Sequence, residues 1–120
     1  MPETRVVLYA DEDGSAPLLV WLDQQPKKVQ DKCLVRIERL ASMGYELRRP
    51  EADFLRDGVY ELRVRHGRVN YRILYFFHQT AAVVAHGLTK EDKVPDPDIE
   101  LALSRKRKYE LDPERHTYRE

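Results

Sequence analysis

Hydrophobic and polar residues alternate along residues 59–77. This period of two is typical of antiparallel β-strands that bury one face of a sheet and leave the other open. His66-Gly67 interrupts the alternation and is predicted to form a two-residue turn, because glycine readily adopts the positive φ that such turns need. With the apolar stretch that follows, the pattern predicts three consecutive strands at about 59–65, 68–77 and 81–88.

The predicted turn fixes the pairing of the first two strands, with Arg65 opposite Arg68 and Glu61 opposite Arg72. The apolar face is then made of Tyr60, Leu62, Val64, Val69, Tyr71, Ile73, Tyr75 and Phe77. The polar face holds Glu61, Arg63, Arg65, Arg68, Asn70 and Arg72. A slip of one residue would mix the two sets, so the pattern specifies the faces well. The polar face is either a solvated surface or a binding surface, since open sheet faces often carry charge.

A strand and a helical hairpin are predicted before this sheet. Residues 5–10 are apolar and β-branched, which is typical of a strand. Apolar spacing predicts a helix over about 16–24, which Ser15 can cap. The same spacing predicts a second helix over about 26–43, which Gly44 can end.

The remaining segments complete an α+β fold. Residues 45–58 are predicted to be a connection, because Pro50 disfavours regular structure before it. A last helix is predicted over about 98–110. We expect one small domain over residues 1–110, with the N-terminal strand and helical hairpin packed on a twisted antiparallel sheet. Residues 111–120 are expected to be a polar, loose C-terminal tail.

Composition and charge restrict the function. The chain has 120 residues, of which 42% are hydrophobic, enough for one core. Its start lacks a secretory signal, its apolar runs are too short to span a membrane, and its single Cys33 favours a reducing compartment, so we expect a cytoplasmic protein without cofactor or metal. The net charge is zero, which argues against a general polyanion binder. Residues 56–72 nevertheless carry a balance of +3, and "RKRK" at 105–108 is a second basic block.

Three stretches of the chain follow one another in a recognisable order: "WLDQQP…GYELRRP", "GVYELRVRHGRVNYRILYFF" and "HGLTKEDKVPDPDIELA". Together they resemble the RelE/ParE toxin superfamily, and most of all its phage-derived, HigB-like branch. The resemblance covers about Arg5 to Tyr109. It implies a toxin of a type II toxin–antitoxin module that cuts mRNA on the ribosome without a metal. It also implies a cognate antitoxin, often with a helix-turn-helix domain.

The implied reaction is attack of a ribose 2′-hydroxyl on the adjacent phosphate. It needs a base, a cation for the phosphorane charge and an acid for the leaving oxygen. By resemblance, Arg72 matches the family's phosphate-binding arginine, and Arg63 matches a basic position on the neighbouring strand. The alternative for both is ion pairing with Glu61, which stands where the well-known RelE-type nucleases carry a basic residue.

The resemblance also suggests proton-transfer groups and further RNA contacts. Glu51 is the nearest match to a carboxylate base, with Asp53 close by; ordinary loop charge is the alternative for both. The acid candidates are His86, Lys90, Tyr109 and His116. Each has a structural alternative: a core or turn histidine, a loop lysine, a helix anchor and part of a loose tail. Additional RNA-binding candidates are Arg65, Arg68, Lys106 and Arg107.

Two other functions stay open. A ParE-like toxin shares the fold but poisons DNA gyrase by binding it, and such a binder needs no paired arginines on the sheet. A degenerate member would only bind an antitoxin or serve as a phage accessory protein. The zero net charge and Glu61 favour this last alternative over a nuclease.

Overall fold

The computed structural model describes residues 3–90 and 92–120. In chain order, the elements are β1 (Arg5–Leu8), α1 (Pro17–Asp23), α2 (Lys27–Met43), a 3-10 turn (Gly44–Glu46), β2 (Ala52–Arg56), β3 (Val59–His66), β4 (Val69–His78), β5 (Ala81–Lys90) and α3 (Asp96–Leu111). The strands form one mixed sheet in the order β1-β5-β4-β3-β2, in which β1 is parallel to β5 and the other neighbours are antiparallel. The predicted α+β class is confirmed.

The strand β2 lies inside residues 45–58, so the prediction of a plain connection there is wrong. Ala52 pairs with Leu62 and Phe54 with Tyr60, whose ring meets the ring of Phe54 edge-on at 5.1 Å. This edge strand has only five residues and a register shift. In the sequence, the turn signals on both sides of β2 hide so short an alternation of apolar and polar residues.

The helices begin and end near their predicted positions, but one predicted cap is absent. Ala16 is the N-cap of α1, and the Ser15 hydroxyl donates instead to the Asp13 carboxylate at 2.7 Å. Gly44 does follow α2, with a φ of +55°. Over residues 3–90 and 92–120, the structure contains no helix with both the length and the hydrophobicity needed to cross a membrane.

The β3–β4 turn lies at Gly67-Arg68, one residue later than predicted. Gly67 has a φ of +61° and is the first central residue, which suits a turn with glycine in that position. Arg63 therefore pairs with Arg72, and Glu61 with Leu74. The predicted partners are wrong by two residues. Because this shift is even, the strand residues keep the faces that the alternation predicted.

Helices cover both faces of the sheet, which the expectation of one open face did not include. On the apolar face, α1 contributes Leu18 and α2 contributes Leu40 to a cluster with the strand residues Leu62, Ile73 and Tyr75. On the opposite face, α3 packs through Ile99, Ala102 and Leu103 on Val59, Leu74 and Leu88. Arg63, Arg65 and Asn70 lie beyond this second cluster and remain at least partly exposed.

The C-terminal segment packs on β1, so the expectation of a loose tail is wrong. His116 is buried, its ring stacks on Tyr9 at 5.2 Å, and its Nδ1 lies 2.7 Å from the Ala10 carbonyl oxygen. The Tyr118 amide donates to the Leu8 carbonyl at 2.8 Å. The polar composition of this segment conceals an aromatic contact with the core.

Candidate functional site

Two arginines from neighbouring strands meet at the end of the polar face that α3 leaves uncovered. Arg63 on β3 and Arg72 on β4 are direct cross-strand partners. Because side chains of opposed residues point to the same side of a sheet, both guanidinium groups lie on one face. The Arg72 residue is only 8% exposed, whereas the Arg63 side chain is 31% exposed. We call these two residues the arginine pair.

The carboxylate of Glu61 lies between the two guanidinium groups. Arg63 Nε donates to Glu61 Oε2 at 2.8 Å, and Arg72 Nε lies 3.3 Å from Glu61 Oε1. The second contact is an ion pair without hydrogen-bond alignment, and Arg72 Nε has no hydrogen-bond partner among the described residues. Since Glu61 is only 3% exposed, the site contains a buried anion held by two cations.

Lys90 adds a third cation to the same end of the sheet. It ends β5 and pairs with Asn70 of β4, which in turn pairs with Arg65 of β3. Burial lowers the pKa of Lys90, and the positive charge of Arg72 lowers it further. A lysine shifted in this direction gives up its proton more readily than an exposed one, as a general acid must. Burial also lowers the pKa of Arg72, while Glu61 opposes that change, and arginine stays protonated in proteins.

An open groove of about 310 Å³ runs from the arginine pair toward α2. Its walls are Arg36, Pro50, Arg63, Val64, Arg65, Asn70 and Arg72. We call it the arginine groove. Arg36 was not among the residues predicted from the sequence, although a signal was present. It lies three residues after Cys33 and four before Leu40, on the apolar stripe of α2. A charged residue on such a stripe marks the border between core and solvent.

The two carboxylate candidates for the base lie in different surroundings. Glu51 accepts two hydrogen bonds from Arg39, at 2.9 and 3.0 Å, and lies 3.1 Å from Arg36 Nη1. The hydrogen bond from Arg39 lowers the pKa of Glu51, which makes it a weaker base. Asp53 is bound mainly by Arg49 and lies 3.6 Å from Arg63.

Three of the four acid candidates bond to groups outside the arginine pair. His86 lies under α3, where its Nε2 is 2.7 Å from Asp98 Oδ1. Tyr109 is buried, contacts Phe76 edge-on and bonds to Thr117. This geometry fits the helix-anchor alternative rather than stacking on an RNA base. His116 is buried in the tail contact. Lys90 differs from these three, because the charge of Arg72 contributes to lowering its pKa and so places it near the arginine pair.

The four RNA-binding candidates divide into two groups. Arg65 lines the arginine groove, and Arg68 is exposed in the adjoining turn. Lys106 and Arg107 lie on α3, and Lys106 is bonded to Glu110 at 3.0 Å. The basic block around them is not a continuous patch, because Arg105 donates inward to the Ala85 carbonyl at 2.7 Å. In the two described stretches, no three His, Cys, Asp or Glu side chains are grouped to hold a metal ion.

A family model described as "Phage derived protein Gp49-like" matches residues 20–107, which include the arginine pair, Glu61 and Lys90. The chain belongs to this family. The Gp49-like family is a RelE-like toxin family, so membership is consistent with the toxin of a toxin–antitoxin module. No curated protein matches the chain.

Proposed function

We propose that this Gp49-like chain is a HigB-like toxin of a type II toxin–antitoxin module and cleaves mRNA on the ribosome. The observation that carries the proposal is the arginine pair on one sheet face, with Lys90 on the next strand. Arginine suits this role because its planar group can donate two parallel hydrogen bonds to a phosphate. The partners of the proposed toxin are mRNA, the ribosome and a cognate antitoxin of helix-turn-helix type.

In the proposed reaction, the scissile phosphate takes the place of Glu61 between the two guanidinium groups. Arg63 and Arg72 then stabilise the negative charge that builds up as the 2′-hydroxyl attacks. The displaced Glu61 carboxylate accepts the hydroxyl proton, and Lys90 protonates the 5′-oxygen that leaves. The products are a cyclic phosphate and a free 5′-hydroxyl. Glu61 replaces Glu51 as the assigned base, because it contacts both members of the arginine pair, whereas Glu51 contacts Arg36 and Arg39.

One observation favours a second candidate, a member that only binds an antitoxin. Both guanidinium groups of the arginine pair already have a carboxylate neighbour in Glu61. If Glu61 is a permanent counterion, the pair stabilises the sheet and performs no chemistry. A nuclease arrests growth and needs the arginine pair to do so, whereas a member that only binds an antitoxin causes no arrest and needs the pair only for folding.

Growth arrest after induction separates these candidates. We expect Arg72→Met to abolish growth arrest while the variant stays folded, because methionine retains the packing of the arginine stem and removes the charge. Arg5→Met is the matched control, since Arg5 is an exposed strand arginine on β1, at the opposite edge of the sheet. Full toxicity of a folded Arg72→Met variant would refute the assigned phosphate role. Growth arrest with intact messages and a broken chromosome would indicate gyrase poisoning instead.

A further inference from the structure

The arginine groove extends past the arginine pair, along a part of β3 that pairs with β4 on one side and has no described strand on the other. The β2–β3 pairing ends at Ala52 and Leu62, and the last backbone bond beyond it runs from the Arg63 amide to the Glu51 carbonyl, at 2.8 Å. Lys32 on α2 donates to the Arg65 carbonyl at 3.2 Å. An added β-strand would need the Arg65 carbonyl as a hydrogen-bond acceptor, and Lys32 already occupies it. The edge is therefore better suited to a charged backbone than to a β-strand.

Cationic groups outnumber carboxylates around this edge. The cations are Arg36, Arg39, Arg49, Arg63, Arg65, Arg72 and Lys90, and the carboxylates in contact with them are Glu51, Asp53 and Glu61. Each carboxylate is shared between two arginines. Arg65 donates only to the Gly67 carbonyl, at 3.2 Å, within the described part of the chain. The described walls of the groove itself contain four arginines and no carboxylate, in a protein whose net charge is zero.

Arg36 has the freer guanidinium group of the two that contact Glu51. Arg39 binds that carboxylate with two hydrogen bonds, which leaves Arg36 with one ion pair at 3.1 Å. Arg36 Nε is buried without a hydrogen-bond partner in the stretches that the structure describes. Arg36 lines the arginine groove and Arg39 does not. An anion in the groove would be a second acceptor for the guanidinium group of Arg36, whose side chain is 27% exposed.

We propose that Arg36 and Arg65 form a second phosphate subsite, next to the one at Arg63 and Arg72. The ligand is a single-stranded RNA backbone, whose consecutive phosphates bind at the arginine pair and then over the free edge of β3. This inference rests on the proposed function for its choice of ligand. The second subsite would let the protein distinguish ligands by their number of phosphates, because a one-phosphate ligand fills only the first subsite and a two-phosphate ligand fills both.

Binding of short oligonucleotides tests the second subsite. The probes are fluorescein-labelled 2′-O-methyl oligonucleotides, which cannot undergo 2′-hydroxyl attack: a dinucleotide with one phosphate and a trinucleotide with two. Wild-type protein is expected to bind the trinucleotide roughly tenfold more tightly, the usual effect of one added charge-assisted hydrogen bond. Arg36→Met should lose that gain and keep its affinity for the dinucleotide. Arg36→Lys should recover part of the gain.

Lys28→Met is the matched control, because Lys28 lies exposed on the same helix, carries the same charge and does not line the arginine groove. It should keep the trinucleotide preference, and urea unfolding will show that each variant is folded. Equal losses in the Arg36 and Lys28 variants, or no trinucleotide preference in the wild type, would overturn the inference. A preference that depends on Arg36 in a protein that leaves messages intact would uphold the subsite and refute the nuclease function.

Discussion

Replacing Glu61 with glutamine should destabilise the protein and at the same time strengthen its binding of phosphate. The substitution keeps the shape of the side chain and removes the only carboxylate that contacts both members of the arginine pair in the described structure. Arg72 is then a nearly buried cation next to a second cation. Both effects follow from the same uncompensated charge.

The size of the destabilisation can be worked from the exposure of the three side chains. Removing one partner of a fully buried ion pair costs about 3 to 5 kcal/mol. The Glu61 and Arg72 side chains are 4% and 10% exposed, but that of Arg63 is 31% exposed, and water screens its charge. Glutamine also keeps one oxygen that can accept from Arg63. We therefore expect Glu61→Gln to lower the free energy of unfolding by about 2 to 3 kcal/mol.

Urea unfolding with and without phosphate, at constant ionic strength, measures both effects. At a phosphate concentration of about 100 times the dissociation constant for the variant, phosphate binding should raise the variant's free energy of unfolding by about 2.7 kcal/mol. It should stabilise the wild type less, because there it must displace Glu61. Glu100→Gln is the control, since Glu100 forms an exposed ion pair with Arg56 and its loss should change neither measurement. A Glu61→Gln variant as stable as the wild type, or one indifferent to phosphate, would refute this account of the site.

Three further predictions concern the frame around the site. Gly87→Ala should lower the free energy of unfolding by about 1 to 3 kcal/mol, because a Cβ at this position would overlap the Trp21 ring, and Trp21→Leu should restore part of the loss in urea titrations. His116→Ala should lower the thermal midpoint, because it removes the stacking on Tyr9 and the bond to Ala10, whereas Arg119→Ala should not. Burial raises the pKa of Cys33 to about 11, so a thiol reagent at pH 8 should modify it only as the protein unfolds. Stability should also fall between about pH 9 and 11, where the unfolded chain has lost the thiol proton that the folded chain retains.

Much of the fold could be predicted from hydrophobic period alone, because burial on one face of a strand or helix leaves a regular pattern. The strand alternation placed Arg63 and Arg72 on one face even though the predicted turn was one residue early. Periodicity could not detect β2, which is too short, or the packing of His116, which depends on a partner ring more than 100 residues earlier in the chain. Long-range contacts of this kind leave no local signal.

The site shows the same division. The resemblance to RelE-like toxins pointed to Arg72 and Lys90, which the fold brings to one end of the sheet. It also pointed to His86 and Tyr109, whose side chains bond to Asp98 and Thr117 instead. Sequence distance gave no indication of this, since all four residues lie in or near the last strands and helix. Arg36 was missed because its role depends on how α2 packs against the edge of β3.

Mapping the 5′ ends of cellular messages after induction is the most direct test of the central claim, that the arginine pair holds a scissile RNA phosphate. Wild-type protein is predicted to produce new ends with free 5′-hydroxyl groups within translated codons. The folded Arg72→Met variant should produce none, and Arg5→Met should match the wild type. New ends that persist at the same positions in the Arg72→Met variant, or their absence from cells arrested by the wild type, would contradict the claim.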